Sequence, residues 1–304
     1  MKISKITLCV LGFLLVLATA VVAEDAPPLT FKFSKASVPG AKYTSAGGIN
    51  NLGMSVGAYV DSAGVGHGYI LKGTKVTKLD DPHAKAGTTG ASNIQYNGTA
   101  VVGSYMNSAG VSVGFVYKKG IYGDILGPTG NKGTAANAIN DKLAIVGNYA
   151  DSAGVQHGFL LVNGKYKTLD VPKSFKSFGT VATGINNKGT IVLYYFVNST
   201  GTELGSAMTT NSGKTYTKIN VPGAGAGGSG SLDLNNEADV CYEWFDSAGL
   251  LHGALLHGGK YYKFDFPKAY GTYGGGLNDR STVAGGYLPT KSAKGFQSYN
   301  ATFK

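Results

Sequence analysis

The chain repeats itself six times, and no other feature limits its fold as strongly. Gly48-Ile49-Asn50-Asn51 returns as Gly184-Ile185-Asn186-Asn187 and as Gly276-Leu277-Asn278-Asp279. Looser copies are Asn93-Ile94, Ala138-Ile139-Asn140-Asp141 and Leu234-Asn235-Asn236, so successive starts lie 43 to 49 residues apart. Each start leads to an aromatic residue: Tyr59, Tyr105, Tyr149, Tyr195, Trp244 or Tyr287. A turn of the form Asp61-Ser62-Ala63-Gly64 follows, with counterparts opening at Asn107, Asp151, Asn198 and Asp246 and a shortened sixth at Lys291-Ser292-Ala293. A glycine then opens the next segment (Gly68, Gly114, Gly158, Gly205, Gly253, Gly295), and a proline closes the unit (Pro39, Pro82, Pro128, Pro172, Pro222, Pro267). Six of the nine prolines hold this one register, which marks true structural units rather than compositional bias.

The unit reads as four β-strands. Asp/Asn-Ser-x-Gly suits a hairpin, because the Asx side chain bonds the turn backbone and glycine accepts a positive φ. Tyr166-Lys167-Thr168-Leu169-Asp170 and Tyr261-Tyr262-Lys263-Phe264-Asp265 alternate like half-buried strands. Proline after such a strand ends its pairing. One strand is expected to begin at Gly-Ile-Asn, one to run through the tyrosine, one to follow the hairpin and one to precede the proline. No segment carries a 3.6-residue apolar period with caps, so helix should be nearly absent.

Four strands per ~45 residues, six times over, predict an all-β fold: a six-bladed β-propeller of four-stranded blades. Segments rich in small residues, such as Thr88–Ser92 and Thr272–Gly276, suit inner strands crowding an axis. The recurring tyrosines are expected to fill the wedges between blades. Thr30-Phe31-Lys32-Phe33 is a final-type strand standing before the first repeat, whereas the chain after Gly295–Tyr299 lacks one. The N-terminal strand is therefore expected to close the last blade and remove both sheet edges.

Residues 1–23 read as a secretory signal peptide: Lys2 and Lys5, an apolar Leu8–Ala18, and small residues at Val21–Ala23. A short tail, 24–28, then leads into a propeller over 29–304. No later stretch reaches the ~18 apolar residues of a membrane helix, so the expected location is secreted, extracellular or periplasmic. Net charge falls from +10 to +8 once the leader and its two lysines are removed. That balance suits acidic polymers, but no basic run suggests nucleic acid. Cys241 alone survives processing, which excludes an intramolecular disulfide, and its strand-like setting points to a buried, inert thiol.

Gly-Ile-Asn-Asn, Gly-x-Tyr, Asp-Ser-x-Gly, His-Gly-Phe and Leu-Asp-Val-Pro together resemble the HAF-type repeats of bacterial exported proteins. The third copy carries them most fully, with His157-Gly158-Phe159 and Leu169-Asp170-Val171-Pro172. The resemblance spans roughly Leu29 to Lys304 and implies an exported bacterial protein. It brings no catalytic residues to carry over.

Chemistry-bearing residues are few. His67, His157 and His252 share one repeat position, which copies two, four and six fill with Val113, Leu204 and Lys294. These histidines are either a polar ring that meets a ligand or strand-edge residues bonding the adjacent hairpin. Alternate blades hold them too far apart to share a metal ion. The Asp-Ser-Ala-Gly turns lack the ligand density of a calcium loop, and neither metal nor cofactor is expected. There is no Gly-x-Ser-x-Gly elbow and no His-Glu-x-x-His. Only Glu203, Glu237 and Glu243 are available as glutamates in the repeats, and Asp233 is the one clear ionisable residue of the inner strands. Gly223–Gly230 reads as a flexible loop between blades four and five, without the helix and Lys-Ser/Thr of a phosphate cradle.

The loops after the prolines mix lysine with aromatics, in Lys173, Phe175 and Lys176 and again in Lys268 and Tyr270. They should share a face with the Asp-Ser-x-Gly hairpins. The expected function is a monomeric, non-enzymatic binding protein that contacts a polysaccharide, an envelope polymer or a protein through that face. The alternatives are a propeller-type hydrolase or lyase acting in the central channel and a structural envelope or matrix protein.

Overall fold

A computed structural model describes residues 28–128 and 132–304, so the leader reading at 1–23 and most of the 24–28 tail lie outside the described residues. Among the described residues, twenty-four strands form six four-stranded antiparallel sheets, the blades of a six-bladed propeller. Blade 1 comprises Tyr43–Ile49, Met54–Val60, Gly66–Lys72 and Lys75–Leu79. The inner strands of blades 2 to 5 are Gly90–Ile94, Thr134–Ile139, Thr180–Ile185 and Ser229–Leu234. The only helical element among the described residues is one 3₁₀ turn, Lys173–Phe175.

Blade 6 joins the two ends of the chain. Its strands are Gly271–Leu277, Thr282–Leu288 and Gln297–Phe303, and its outer strand is Phe31–Lys35. Phe31 pairs with Phe303 and Lys35 with Tyr299. Phe31 packs 4.7 Å from the Phe264 ring, and Phe33 meets Tyr299 and Phe266 edge-on at 5.4 and 5.6 Å. Hydrogen bonding and apolar burial thus hold the closure together.

The Gly-Ile-Asn motif does not begin the first strand; it ends it. Ile49 is the last inner-strand residue, and Asn50 starts the turn to the second strand. The reason lies in the asparagine. Asn50 Oδ1 accepts from the N–H groups of Leu52 and Met54, at 3.0 and 2.9 Å, and its counterparts in blades 3 to 6 repeat the pattern. The Nδ2 group points sideways into the next blade. Asn140 donates to Asn186 O, Asn186 to Asn235 O, Asn235 to Asn278 O and Asn278 to Asn50 O. Gln95 takes the role in blade 2, donating to Asn140 O at 2.8 Å. The position needs an acceptor for its own turn and a donor for its neighbour, which an amide supplies and a carboxylate does not.

A second ring runs beside the first. The backbone N–H of Asn97, Asp141, Asn187, Asn236 and Asp279 each donates to the side-chain oxygen of the equivalent residue one blade on. Both rings are interrupted between blades 1 and 2. There the blade 2 turn is one residue longer, bonding Gln95 N to Ala100 O where blade 1 bonds Asn50 N to Met54 O. Asn50 Nδ2 is left buried without a partner.

Two further readings are corrected. The strand register pairs Tyr195 with Gly205 and Tyr287 with Gln297, so these residues, not Leu204 and Lys294, occupy the histidine position in blades 4 and 6. Gly223–Gly230 is not a flexible loop but a packed one. Gly225 N bonds Phe245 O at 2.7 Å, and a β-carbon on Gly225 would come within 2.1 Å of Asp246 O. Close backbone approach, rather than freedom, accounts for glycine there.

Candidate functional site

The register of the inner strand slips by one residue at the same place in every blade. The bulged residues are Gly47, Ser92, Asn137, Thr183, Leu232 and Gly275. A β-bulge re-aims its residue, and all six line one cavity of about 460 Å³ around the axis. Ser45, Ala58, Glu243, Leu251, Tyr273 and Phe296 complete its wall. Several of these stand near the hairpin and proline-loop ends of their strands, so the cavity opens on that face.

The opposite end of the axis is bridged by hydrogen bonds between opposed blades. Tyr96, the extra residue of the long blade 2 turn, reaches across to blade 5, where its hydroxyl donates to Leu234 O at 2.7 Å. Asn93 Nδ2 donates to Asp233 Oδ2 at 3.2 Å, spanning the same opposed blades. Asp233 also accepts from Leu277 N at 3.1 Å and Leu234 N at 2.9 Å. Burial pushes its pKa up to about 7 against the pull of these donors. The channel is therefore a cup with a braced floor, and Asp233 belongs to the brace.

Glu243 is the one carboxylate of the cup wall among the described residues. It lies on the second strand of blade 5, Val240–Phe245, where Ala58, Ser104, Asn148, Tyr194 and Gly286 stand in the other blades. Burial raises its pKa to about 7, and its carboxylate makes no hydrogen bond to the described residues. Tyr273 faces the same space: its hydroxyl lies 2.7 Å from Ser45 Oγ and 3.2 Å from Ala46 O. Burial first, and the Glu243 charge further, push the Tyr273 and Tyr194 phenols up to about 12. Asn137 and Thr183 are anchored, with Asn137 Nδ2 donating to Asn148 Oδ1 and Ala182 O and Thr183 Oγ1 to Ser231 O. The wall thus offers fixed hydroxyl and amide groups, apolar Leu232, Leu251 and Phe296, and one unpaired acid.

The three histidines sit away from the cup, each in a clamp. His67 Nδ1 lies 2.8 Å from Asp80 and Nε2 3.4 Å from Asp61 of the hairpin. His157 repeats this with Asp170 and Asp151, and His252 with Asp265 and Asp246. Each ring lies 4.8 to 5.2 Å from an aromatic: Tyr59, Tyr149 or Trp244. Burial alone would lower the His157 pKa, but Asp170 and Asp151 outweigh it and raise it. The Asp61, Asp151 and Asp246 carboxyls are held low, chiefly by the N–H of Val65, Val155 and Leu250. These clamps lock each hairpin to the end of its outer strand.

The lysine–aromatic loops lie on the open face of the cup. Lys173, Lys176, Lys268 and Tyr270 are exposed. Phe175 instead packs inward, 5.4 Å from Tyr195 and beneath Lys218 Nζ. Cys241 is fully buried, and burial raises its thiol pKa. No helix among the described residues is long and apolar enough to cross a membrane.

No protein-family model matches this sequence, and no curated protein matches it. Solved structures do. A TolB-like protein from Agrobacterium tumefaciens superimposes with a TM-score of 0.58 at 11% identity, over 91% of this chain and 98% of that one. SapL1 lectin in complex with alpha methyl fucoside gives 0.52 at 10%, over 87% and 95%. Trypanosoma rangeli sialidase gives 0.53 at 8%, over 91% of this chain and 59% of that one. The chain also spans only 38% of a prolyl endopeptidase that matches it. At such identities the likeness establishes the propeller and nothing about its ligand.

Proposed function

We propose that the protein is an exported binding propeller whose axial cup takes a small hydroxyl-rich ligand, such as the end of a polysaccharide chain. The carrying observation is the axial cavity of about 460 Å³, within the range of small-ligand sites. Its wall combines anchored hydroxyl and amide groups with aromatic and aliphatic surface, the mixture that a sugar's polar rim and apolar face require. The exposed Lys173, Lys176, Lys268 and Tyr270 form an outer contact for the rest of an anionic envelope polymer. The leader-like residues 1–23 and the resemblance to HAF-type repeats support export, and a lectin among the structural neighbours is consistent with a sugar ligand.

A glycan array followed by calorimetry tests this reading. Saturable binding should appear, and Ser92→Phe, which fills the cup, should abolish it at an unchanged melting temperature. Binding that survives Ser92→Phe would move the site out of the cup; a blank array and blank calorimetry would leave a structural protein.

A hydrolase or lyase is the second reading, favoured by the Glu243 carboxyl held near neutrality, as a general acid or base requires. Paired-carboxylate hydrolysis needs a second acid facing the same space, and Asp233 is committed to the floor. Turnover of a polysaccharide that Glu243→Gln removes would establish this reading.

A further inference from the structure

Away from the cup, one junction departs from the repeat in three places at once. The residue before the unit-ending proline is apolar at four of the other junctions: Val38, Val171, Val221 and Phe266. Val38, Val171 and Val221 are buried in hydrophobic clusters. Between blades 1 and 2 it is Asp81. The backbone is the same, since Asp81 N donates to Thr89 Oγ1 at 3.0 Å as Val38 N donates to Thr44 Oγ1 at 3.2 Å. The carboxyl therefore fills the place of an apolar side chain. It is completely shielded from solvent, and its Oδ2 has no hydrogen-bond partner among the described residues. A buried carboxylate oxygen without a partner is strongly unfavourable unless something cationic meets it.

The other two departures converge on it. His83 follows the proline where Gly40, Lys173, Gly223 and Lys268 stand elsewhere. In the outer strand of blade 2, Asp124 pairs with Phe115 at the register position held by Lys78, Thr168, Lys218 and Lys263 in other blades. One ligand atom from each of Asp81, His83 and Asp124 lies within 4.8 Å of the other two. Asp81 Oδ1 is 3.4 Å from His83 Nδ1, and the Tyr105 hydroxyl donates to Asp124 Oδ1 at 3.0 Å, orienting it.

We propose that Asp81, His83 and Asp124 bind a divalent transition-metal ion, best fitted by Zn²⁺, which ties the loop between blades 1 and 2 to the outer strand of blade 2. One imidazole and two carboxylates suit zinc, with solvent completing a four-coordinate shell. Calcium prefers six to eight oxygen ligands and no imidazole. The exposed His83 ring is free to adjust toward the ion, while Asp81 is fixed. The site is separate from the cup, so it stands whether or not a glycan binds there.

Calorimetric titration of the chain with ZnCl₂ alone, after chelator treatment, tests the proposal. One equivalent should bind and raise the melting temperature, and His83→Ala and Asp124→Asn should each weaken binding by about tenfold or more. Asp81→Val restores the apolar residue of the other junctions. It should abolish the response to zinc while raising the melting temperature of the metal-free chain. His157→Ala, which breaks an Asp–His–Asp clamp elsewhere, should leave zinc binding intact. Absence of saturable Zn²⁺ binding, or binding that survives His83→Ala and is lost in His157→Ala, would overturn the assignment.

Discussion

The two ends of the propeller axis are built from the same repeats and have opposite characters. At the floor, five of six blades present asparagine at one position, and the sixth presents Gln95, each giving the same kind of bond to the next blade except at the blade 1–2 seam. At the cup, the six bulge positions carry Gly47, Ser92, Asn137, Thr183, Leu232 and Gly275, with only glycine repeating. Sameness at the floor follows from a mechanical demand that every blade meets alike. Variety at the cup produces an asymmetric wall with a single acid among the described residues, as the proposed recognition of one ligand requires. Within one chain, then, repetition marks scaffold and departure from it marks chemistry.

The scaffold side of this contrast can be broken most severely at the closure. Deleting Leu29–Pro39 removes a five-residue ladder, buried Val38 and the half-buried Phe31 and Phe33, where complete burial of one such side chain is worth about 1.5–3 kcal/mol. The loss should total at least about 5 kcal/mol, lowering the melting temperature by roughly 10 °C or more. A truncated chain that melts like the intact one would show that the ring does not depend on this strand.

The floor offers an internal control. Asn186→Ala removes an interblade bond and two turn bonds at a fully buried site, with an expected cost of about 3 kcal/mol. Asn50→Ala loses turn bonds but no interblade bond, and should cost about 1 kcal/mol less in chemical denaturation. Equal costs would mean that the ring bonds add nothing.

At the cup the expected effect is smaller and pH-dependent. Glu243 titrates near 7 in the fold against 4.5 when free, so the folded protein keeps a proton that the unfolded chain releases. Its contribution to stability is full below about pH 4.5 and declines as the pH rises toward 7. The complete shift corresponds to roughly 3 kcal/mol, which partial exposure in the cup reduces to about 1 kcal/mol. Glu243→Gln should remove that part of the decline, raising the melting temperature at pH 8 by a few degrees and leaving pH 4.5 unchanged.

The clamps come last. The raised pKa of His157 makes its contribution full below pH 6.5 and lost as the pH rises through the folded value. His157→Gln should therefore cost under about 1 kcal/mol at pH 5.5, and less at pH 8. A larger cost at pH 8 would show that packing on Tyr149, not charge, is what the ring supplies.

Most of the architecture was legible in the sequence because period, hairpin glycines and register prolines are local signals. Blade number, strand count and the closing N-terminal strand followed from them. The cup was not legible. A bulge changes no composition, and Gly47, Ser92 and Thr183 read only as small inner-strand residues. Glu243 was missed because it sits on a second strand, between buried Tyr242 and Trp244, and reaches the axis only through the register with Gly230. The repeat also hid information by inviting alignment. Leu204 and Lys294 precede the recurrent glycines Gly205 and Gly295 and so suggest the histidine position, whereas the paired strands put Gly205 and Gln297 there.

The closing strand has a consequence in time as well as in energy. Ser34 and Asn300, joined by a hydrogen bond in blade 6, are 266 residues apart. Bringing such distant ends together in a flexible chain costs about 5 kcal/mol of entropy, comparable to what the closure returns. Pairing is therefore ineffective until the intervening blades have stacked and brought the ends into reach. The expected order of assembly follows: five blades form by local hairpins, and the sixth is completed only once the last residues of the repeat array are in place. Until then the growing propeller is an open arc, and it acquires its rigid cup only in the final step.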